Sequence, residues 1–228
     1  MMEFLFLDLD DTILDFHKAE RIALAKTLES FGVAPEDEVL ARYPVINLQH
    51  WERLETGELT RDQVQEGRFR VLFQELGRTV DPVQVTRTYE RNLGIGHYFL
   101  PGAEKAVQSL HKKYRLFLAS NGTASVQHSR LTSAGLYPYF EKVFVSQDIG
   151  YNKPARDYFE ACFRQIPDFC PERAIMVGDS LTSDILGGIN AGMRTCWVNP
   201  AHAPARANIQ PDYEIENLSQ LEEVLKTL

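Results

Sequence analysis

The sequence predicts a doubly wound, parallel-sheet α/β core with a helical bundle inserted near its start. Three observations carry that prediction. Short apolar runs without polar alternation recur along the chain, as expected of strands covered on both faces. Each ends abruptly in small or acidic polar residues, and from Leu116 onward helical stretches separate them at roughly 20 to 30 residues, about the size of one βαβ unit. Between the first run and the second lies an interval from Leu7 to Leu116, far too long for one crossover.

The first strand is Phe4-Leu5-Phe6-Leu7, followed at once by Asp8-Leu9-Asp10-Asp11-Thr12. Parallel sheets of this Rossmann-like kind place their chemistry beyond the carboxyl ends of the strands. Asp8 would therefore emerge at the active edge with Asp10 close by, a nucleophile and an acid/base partner. An Asp-rich turn closing the strand is the plainer reading of the motif taken alone. The later strands are Arg115–Ala119 running into Ser120-Asn121-Gly122, Lys142–Val145 into Ser146, Ala174–Val177 into Gly178-Asp179, and Thr195–Val198 into Asn199-Pro200. This alternation of strand and helix defines the doubly wound class.

The long first interval reads as helical. Ile22, Ala25, Leu28 and Phe31 form a stripe that stops at Gly32. Thr60 and Gln63 make a capping-box pattern ahead of Phe69, Leu72, Phe73 and Leu76, and Gly77 stops that helix. Asp81-Pro82 sets a cap before a proline at the first helical position. Residues 16–98 are thus expected to form a small helical domain, with residues 1–15 and 99–228 as the core and Gly94–Gly102 as the return linker. Gly187 and Gly188 would let a helix approach the sheet closely. Asn199–Asp212 reads as a loop and Leu218–Leu228 as a closing helix.

With 32 acidic against 24 basic residues, the formal net charge is −8. That argues against a binder of nucleic-acid polymers, which usually shows a basic patch, but leaves room for a small anionic substrate. Cys162, Cys170 and Cys196 have no metal-ligand spacing, and free thiols in a reducing cytoplasm are the plain expectation. The six histidines form no close pair, which disfavours zinc. The N-terminal apolar run meets Asp8 after a few residues and does not read as a signal peptide, and no stretch reaches the length of a membrane span.

Three further features bear on chemistry. Ser120-Asn121-Gly122 ends a strand and starts a helix, which suits an anion site or an ordinary cap. Lys153, beside Pro154 and a helix start, is misplaced for the helix dipole, which hints at an anionic partner; a solvated surface lysine is the alternative. Gly178-Asp179 through Asp184 brings two more acids to the same edge, where a helix cap could also account for them. Two like charges about 4 Å apart cost on the order of 4 kcal/mol at an effective dielectric near 20. Asp8, Asp10, Asp179 and Asp184 together therefore call for protons or a cation, and oxygen-only ligands suit Mg²⁺. Such an assembly fits phosphoryl transfer.

These residues in this order resemble the four motifs of the haloacid-dehalogenase-like (HAD) superfamily over the whole chain, and the helical insertion resembles its helical cap domain. The stretches Asp8–Phe16, Gly150–Pro154, Gly178–Ile185 and Thr195–Pro200 further resemble its pyrimidine 5′-nucleotidase branch. The resemblance implies that Asp8 forms an aspartyl-phosphate and that Asp10 protonates the leaving oxygen and then activates water. It implies Mg²⁺ on the Asp8 and Asp179 carboxylates and the Asp10 carbonyl, with Asp184 holding a metal-bound water or orienting neighbours. Ser120, the Asn121 backbone N–H and Lys153 would grip the phosphoryl oxygens. The expected substrate is a small phosphorylated metabolite, foremost a nucleoside monophosphate. Sugar-phosphate hydrolysis or a phosphomutase reaction is the alternative. Carbon–halogen hydrolysis ranks lower, because the dehalogenases lack an acid two residues after the nucleophile. A receiver-type phospho-switch ranks lower too: that fold is shorter, and its acceptor Asp does not end the first strand.

Overall fold

The computed structural model describes residues 2–228. The chain forms two units, one of Met1–Phe16 with His97–Leu228, the other of His17–Gly96.

The first unit is built on β1 (Phe4–Leu7), whose two faces are both buried. Phe4 and Phe6 pack on one side with Phe117, Phe144, Phe159 and Met176, and the Phe6 ring stacks on Phe117 at 5.2 Å between centroids. Leu5 and Leu7 pack on the other side with Leu116, Leu118, Ile175 and Val177. The alternation of side chains along each strand sends successive residues to opposite layers, and both layers are apolar because helices cover both.

The second unit supplies the next four helices: α1 (Phe16–Ser30, its first residue still in the first unit), α2 (Asp37–Glu55), α3 (Arg61–Glu75) and α4 (Pro82–Leu93). The capping box at Thr60 and Gln63 is formed, and Asp81 caps α4 ahead of Pro82. Gly32 and Gly77 adopt φ of +68° and +63°, the left-handed turn expected of helix stops. The stripe expected in α1 is rotated, however. Of Ile22, Ala25, Leu28 and Phe31 only Leu28 is fully buried, and the inward face is Ala19, Glu20, Ala23, Leu24, Thr27 and Leu28. Hydropathy misses this face because its two polar members are partnered: Glu20 accepts from Asn47 at 2.8 Å, and Thr27 accepts from Asn92 at 3.0 Å. α2 has no sequence signature of its own, because Pro44 lies in its interior.

The chain re-enters the first unit with α5 (Ala103–Leu110), β2 (Arg115–Ser120), α6 (Ala124–Ser133), β3 (Lys142–Val145), the short α7 (Ser146–Ile149) and α8 (Arg156–Phe163). It then forms β4 (Ala174–Gly178), a π-helical turn Leu181–Ile185, α9 (Leu186–Asn190), β5 (Arg194–Val198), β6 (Tyr213–Ile215) and α10 (Leu221–Leu225). All pairings are parallel, in the order β3-β2-β1-β4-β5-β6. β6 is absent from the sequence-based reading, since a three-residue strand behind a Pro-rich loop has no periodicity to detect. The segment after Asp179 opens as a π turn, not an α-helix, and the closing helix is a 3₁₀ turn leading into five α-helical residues.

β1 lies between β2 and β4, so the winding direction reverses beside it. This switch point is where open α/β sheets leave a crevice at their carboxyl ends. Leu7 pairs with Leu118 and Val177, so Asp8 leaves the sheet level with the ends of β2 and β4.

Close helix–sheet approach depends on Gly187 and Gly188, as the sequence suggests. A Cβ at Gly188 would lie 2.7 Å from Thr195 Cγ2 and 2.9 Å from Met176 Cβ. Replacing a helical glycine by alanine ordinarily gains about 1 kcal/mol, whereas overpacking a rigid core costs about 1–3 kcal/mol. Met176 Cβ sits on a fully buried strand and cannot retreat, so the steric cost wins. Gly188→Ala is expected to lower the thermal midpoint by a few degrees, read by calorimetry against the native protein.

Candidate active site

The site forms where four strand ends and loops deliver polar residues into the apolar sheet edge. Asp8 follows β1, and its N–H donates to Val177 O at 2.9 Å, extending the β1–β4 ladder by one step. Ser120 is the last residue of β2, not the start of a helix; α6 begins at Ala124, with Thr123 at its N-cap. Lys153 lies in the loop before α8, which begins two residues later than Pro154 suggests. Asp179 follows β4, and Asp184 lies in the π turn.

Lys153 is 1% exposed, so it is no solvated surface lysine. Its Nζ donates to Asp8 Oδ1 at 2.7 Å, to Asp184 Oδ1 at 2.6 Å and to Ala119 O at 2.6 Å, which uses all three of its protons. Burial disfavours the ammonium, but Asp184 and Asp8 outweigh it and hold the Lys153 pKa above its ordinary value. The loop is fixed by Asn121. Its amide donates to Lys153 O at 2.8 Å while its Oδ1 accepts from Lys153 N at 2.9 Å.

Asp184 is fixed in turn. Its Oδ2 accepts from Ser180 N at 3.1 Å, and Ser180 Oγ accepts from Ser183 N at 3.2 Å. The expected helix cap is thus formed by Ser180, while the Asp184 carboxylate turns back toward Lys153. Gly178 makes room for it, since a Cβ there would fall 2.1 Å from Asp184 Oδ2. The Trp197 indole donates to Asp179 O at 2.7 Å and locks the backbone beneath that acid.

Oxygens of Asp8, Asp179 and Asp184 lie within 4.8 Å of one another. Burial raises the Asp8 pKa well above its ordinary value; Lys153 opposes this, and Asp184 and Asp10 add to it. Asp179 is partly reachable by solvent, yet its carboxyl is crowded enough that desolvation again leads, reinforced by Asp184, Asp8 and Asp11. Three clustered carboxylates face a single buried ammonium, and every donor is a hard oxygen. That is a chemical fit to a hard divalent cation such as Mg²⁺.

Asp10 stands apart from this triad. Its Oδ1 is ion-paired with Arg130 Nη1, and its Oδ2 accepts from Gln127 Nε2 at 2.7 Å. Asp11 takes a left-handed φ of +52°, and its carboxylate accepts from Phe16 N at 2.9 Å. Sequence reasoning missed Gln127, Arg130 and Trp197. The signal available was a polar pair, Gln127 and Arg130, three residues apart on a helix just after the Ser120 loop, and so on one face.

Comparison with known proteins places the chain in a family. The family model for haloacid dehalogenase-like hydrolases matches residues 2–192, and the chain belongs to that family. It is 40% identical to the HAD-hydrolase YfnB of Bacillus subtilis (strain 168), over 97% of this chain and 94% of that one. It is 37% identical to the pyrimidine 5′-nucleotidase PynA of Streptococcus pneumoniae, over 96% and 93% respectively. Identity to the pyrimidine 5′-nucleotidase YjjG of Escherichia coli is 30%, over 98% and 97%. The crystal structure of B. subtilis YfnB bound to magnesium superposes with a TM-score of 0.95, at 39% identity and 98% coverage of both chains. The protein is therefore a hydrolase with the HAD-like fold.

The raised carboxylate pKa values have a consequence for metal-free protein. A carboxyl whose folded pKa lies above its unfolded value holds more protons when folded, so stability falls as pH rises from the unfolded value through the folded one. Denaturant melts in EDTA should show stability declining above about pH 4, the ordinary carboxylate range. Asp179→Asn should flatten that decline and exceed the native protein at pH 8. Added Mg²⁺ should stabilise the native protein and not the variant.

Proposed function

We propose that the protein is a Mg²⁺-dependent phosphomonoesterase that works through an aspartyl-phosphate on Asp8, with nucleoside 5′-monophosphates, pyrimidine ones foremost, as substrates. The observation that carries the reading is the buried Asp8 carboxylate at the switch point, held 2.7 Å from Lys153 beside two further acids. The names of the similar pyrimidine 5′-nucleotidases, with near-complete coverage, support the substrate class.

In this reading Asp8 attacks phosphorus, forming an Oδ–P bond as the ester oxygen departs. Asp10 delivers the proton that the leaving oxygen needs, then takes one from the water that hydrolyses the aspartyl-phosphate. Lys153 favours the charged form of Asp8 and aims its oxygen, and meets the phosphoryl group together with Ser120 and the Asn121 N–H. Asp8, Asp179 and the Asp10 carbonyl would hold Mg²⁺, with Asp184 behind them. The ion supplies positive charge to the transferring phosphoryl group. Residues 16–98 act as a cap domain that selects the leaving group, and residues 1–15 and 99–228 as the catalytic core.

Asp8→Asn should abolish phosphate release while retaining the fold, and EDTA should silence the native enzyme until Mg²⁺ is restored. Activity persisting in chelated protein would remove the metal from the scheme. The substrate class is tested by kcat/KM across pyrimidine and purine monophosphates, nucleoside triphosphates and hexose phosphates. Pyrimidine monophosphates are expected to lead. A hexose phosphate ahead of all of them by tenfold, about 1.4 kcal/mol in transition-state binding, would overturn the nucleotidase assignment and leave the phosphatase.

A further inference from the structure

Gln127 and Arg130 project from α6 into the site, and both are fully buried. Gln127 touches three polar groups. Its Oε1 accepts from Arg130 Nη1 at 3.2 Å, and its Nε2 donates to Asp10 Oδ2 at 2.7 Å and to Ser120 Oγ at 2.8 Å. Chemistry fixes which end of this amide is which. A guanidinium only donates, so the amide oxygen must face Arg130, which leaves the amide nitrogen to Asp10 and Ser120. Rotating the amide by half a turn would set its N–H donors against the Arg130 guanidinium, which can only donate.

The fixed polarity passes on to Ser120. Its Oγ accepts one bond from Gln127 and a second from Gly122 N at 3.1 Å. Both neighbours are donors, so the hydroxyl proton can go to neither. Gly122 is required for this arrangement: a Cβ there would fall 2.4 Å from Gln127 Nε2. Arg130 meanwhile pairs with Asp10 Oδ1, so one arginine anchors both the amide and the carboxylate.

We propose that Gln127, oriented by Arg130, is a positioning residue that turns the Ser120 hydroxyl proton outward to the phosphoryl oxygen and holds the Asp10 carboxylate in register with it. The inference rests on the phosphomonoesterase reading for the identity of the anion, but not for the direction of the hydroxyl. A hydroxyl that cannot donate inward is a committed donor to an incoming anion. It need not break an existing bond when substrate arrives, which lowers the reorganisation needed at the reacting centre.

The test is a double-mutant cycle read by binding of inorganic phosphate in the presence of Mg²⁺, measured calorimetrically, alongside kcat and KM for one phosphomonoester. Gln127→Glu replaces the amide donor by an acceptor and should draw the Ser120 proton inward. Phosphate affinity and KM should each weaken by tenfold or more. Ser120→Ala should weaken phosphate binding to a similar extent. In the double variant the two losses should fail to multiply, because Gln127 acts through the same hydroxyl. A new charge acting on the anion directly would multiply with the Ser120→Ala loss, and that result overturns the proposal.

Gln127→Met, neutral and of similar length, guards against misfolding of the charged variant. It should bind phosphate better than Gln127→Glu, because the freed hydroxyl can still rotate outward. Equal affinity of native protein and Gln127→Glu would also overturn the proposal. Native protein that binds phosphate normally but shows no Asp8-dependent turnover would sink the phosphomonoesterase reading alone. Native protein that binds no phosphate would sink both.

Discussion

The site depends on one buried ammonium. Lys153 is enclosed and hydrogen-bonded to Asp8, Asp184 and a backbone carbonyl, with no proton left over. Removing one partner of a buried pair typically costs about 3–5 kcal/mol, because the remaining charge stays desolvated. The elements around Lys153 are arranged to avoid that outcome. Asn121 clamps its backbone from the end of β2, Ser180 and the π turn aim Asp184 at it, and Gly178 clears the space for Asp184. These devices come from the ends of β2 and β4, and Asp8 follows β1, so the pair also ties the loops of β1, β2 and β4 together.

One ammonium cannot neutralise three acids, and the imbalance is on the side of Asp179. Asp8 and Asp184 share Lys153, whereas Asp179 meets mainly like charge. Asp10 is spared this crowding because α6 gives it an arginine and an amide of its own. Two carboxylates only two residues apart thus occupy opposite electrostatic settings: one strained by burial and like charge, the other compensated. Separation of neighbouring acids into unlike environments is a general way to assign them different tasks.

Much of this was legible in the sequence, for physical reasons. Strands buried on both faces leave uninterrupted apolar runs, so β1 to β5 could be read from Phe4, Leu116, Val143, Ile175 and Cys196 and their neighbours. Caps such as Thr60 with Gln63 and Asp81 with Pro82 are local and survive without tertiary context. What escaped was non-local. The inward face of α1 includes Glu20 and Thr27, which are buried because Asn47 and Asn92, far along the chain, satisfy them. At the site, Asp8, Asp10, Ser120, Asn121, Lys153, Asp179 and Asp184 stood out because each follows a strand or flanks a helix start. Gln127, Arg130 and Trp197 did not, since their importance lies in what they donate to and not in their own position.

The strand order also governs how the protein is made. β1 precedes the other strands of the sheet in the chain, yet it lies in the middle of the sheet, and its partner β4 begins only at Ala174. At typical elongation rates of about 5–20 residues per second, the Phe-Leu-Phe-Leu segment waits on the order of ten to thirty seconds before both its edges can be paired. During that wait it is an apolar strand with open hydrogen-bonding edges, the kind of segment that chaperones shield. Asp8, Asp179 and Asp184 meet only once β4 has docked, so the nascent chain bears the repulsion of the acid cluster late, after β1, β2 and β3 are all available to bury apolar surface.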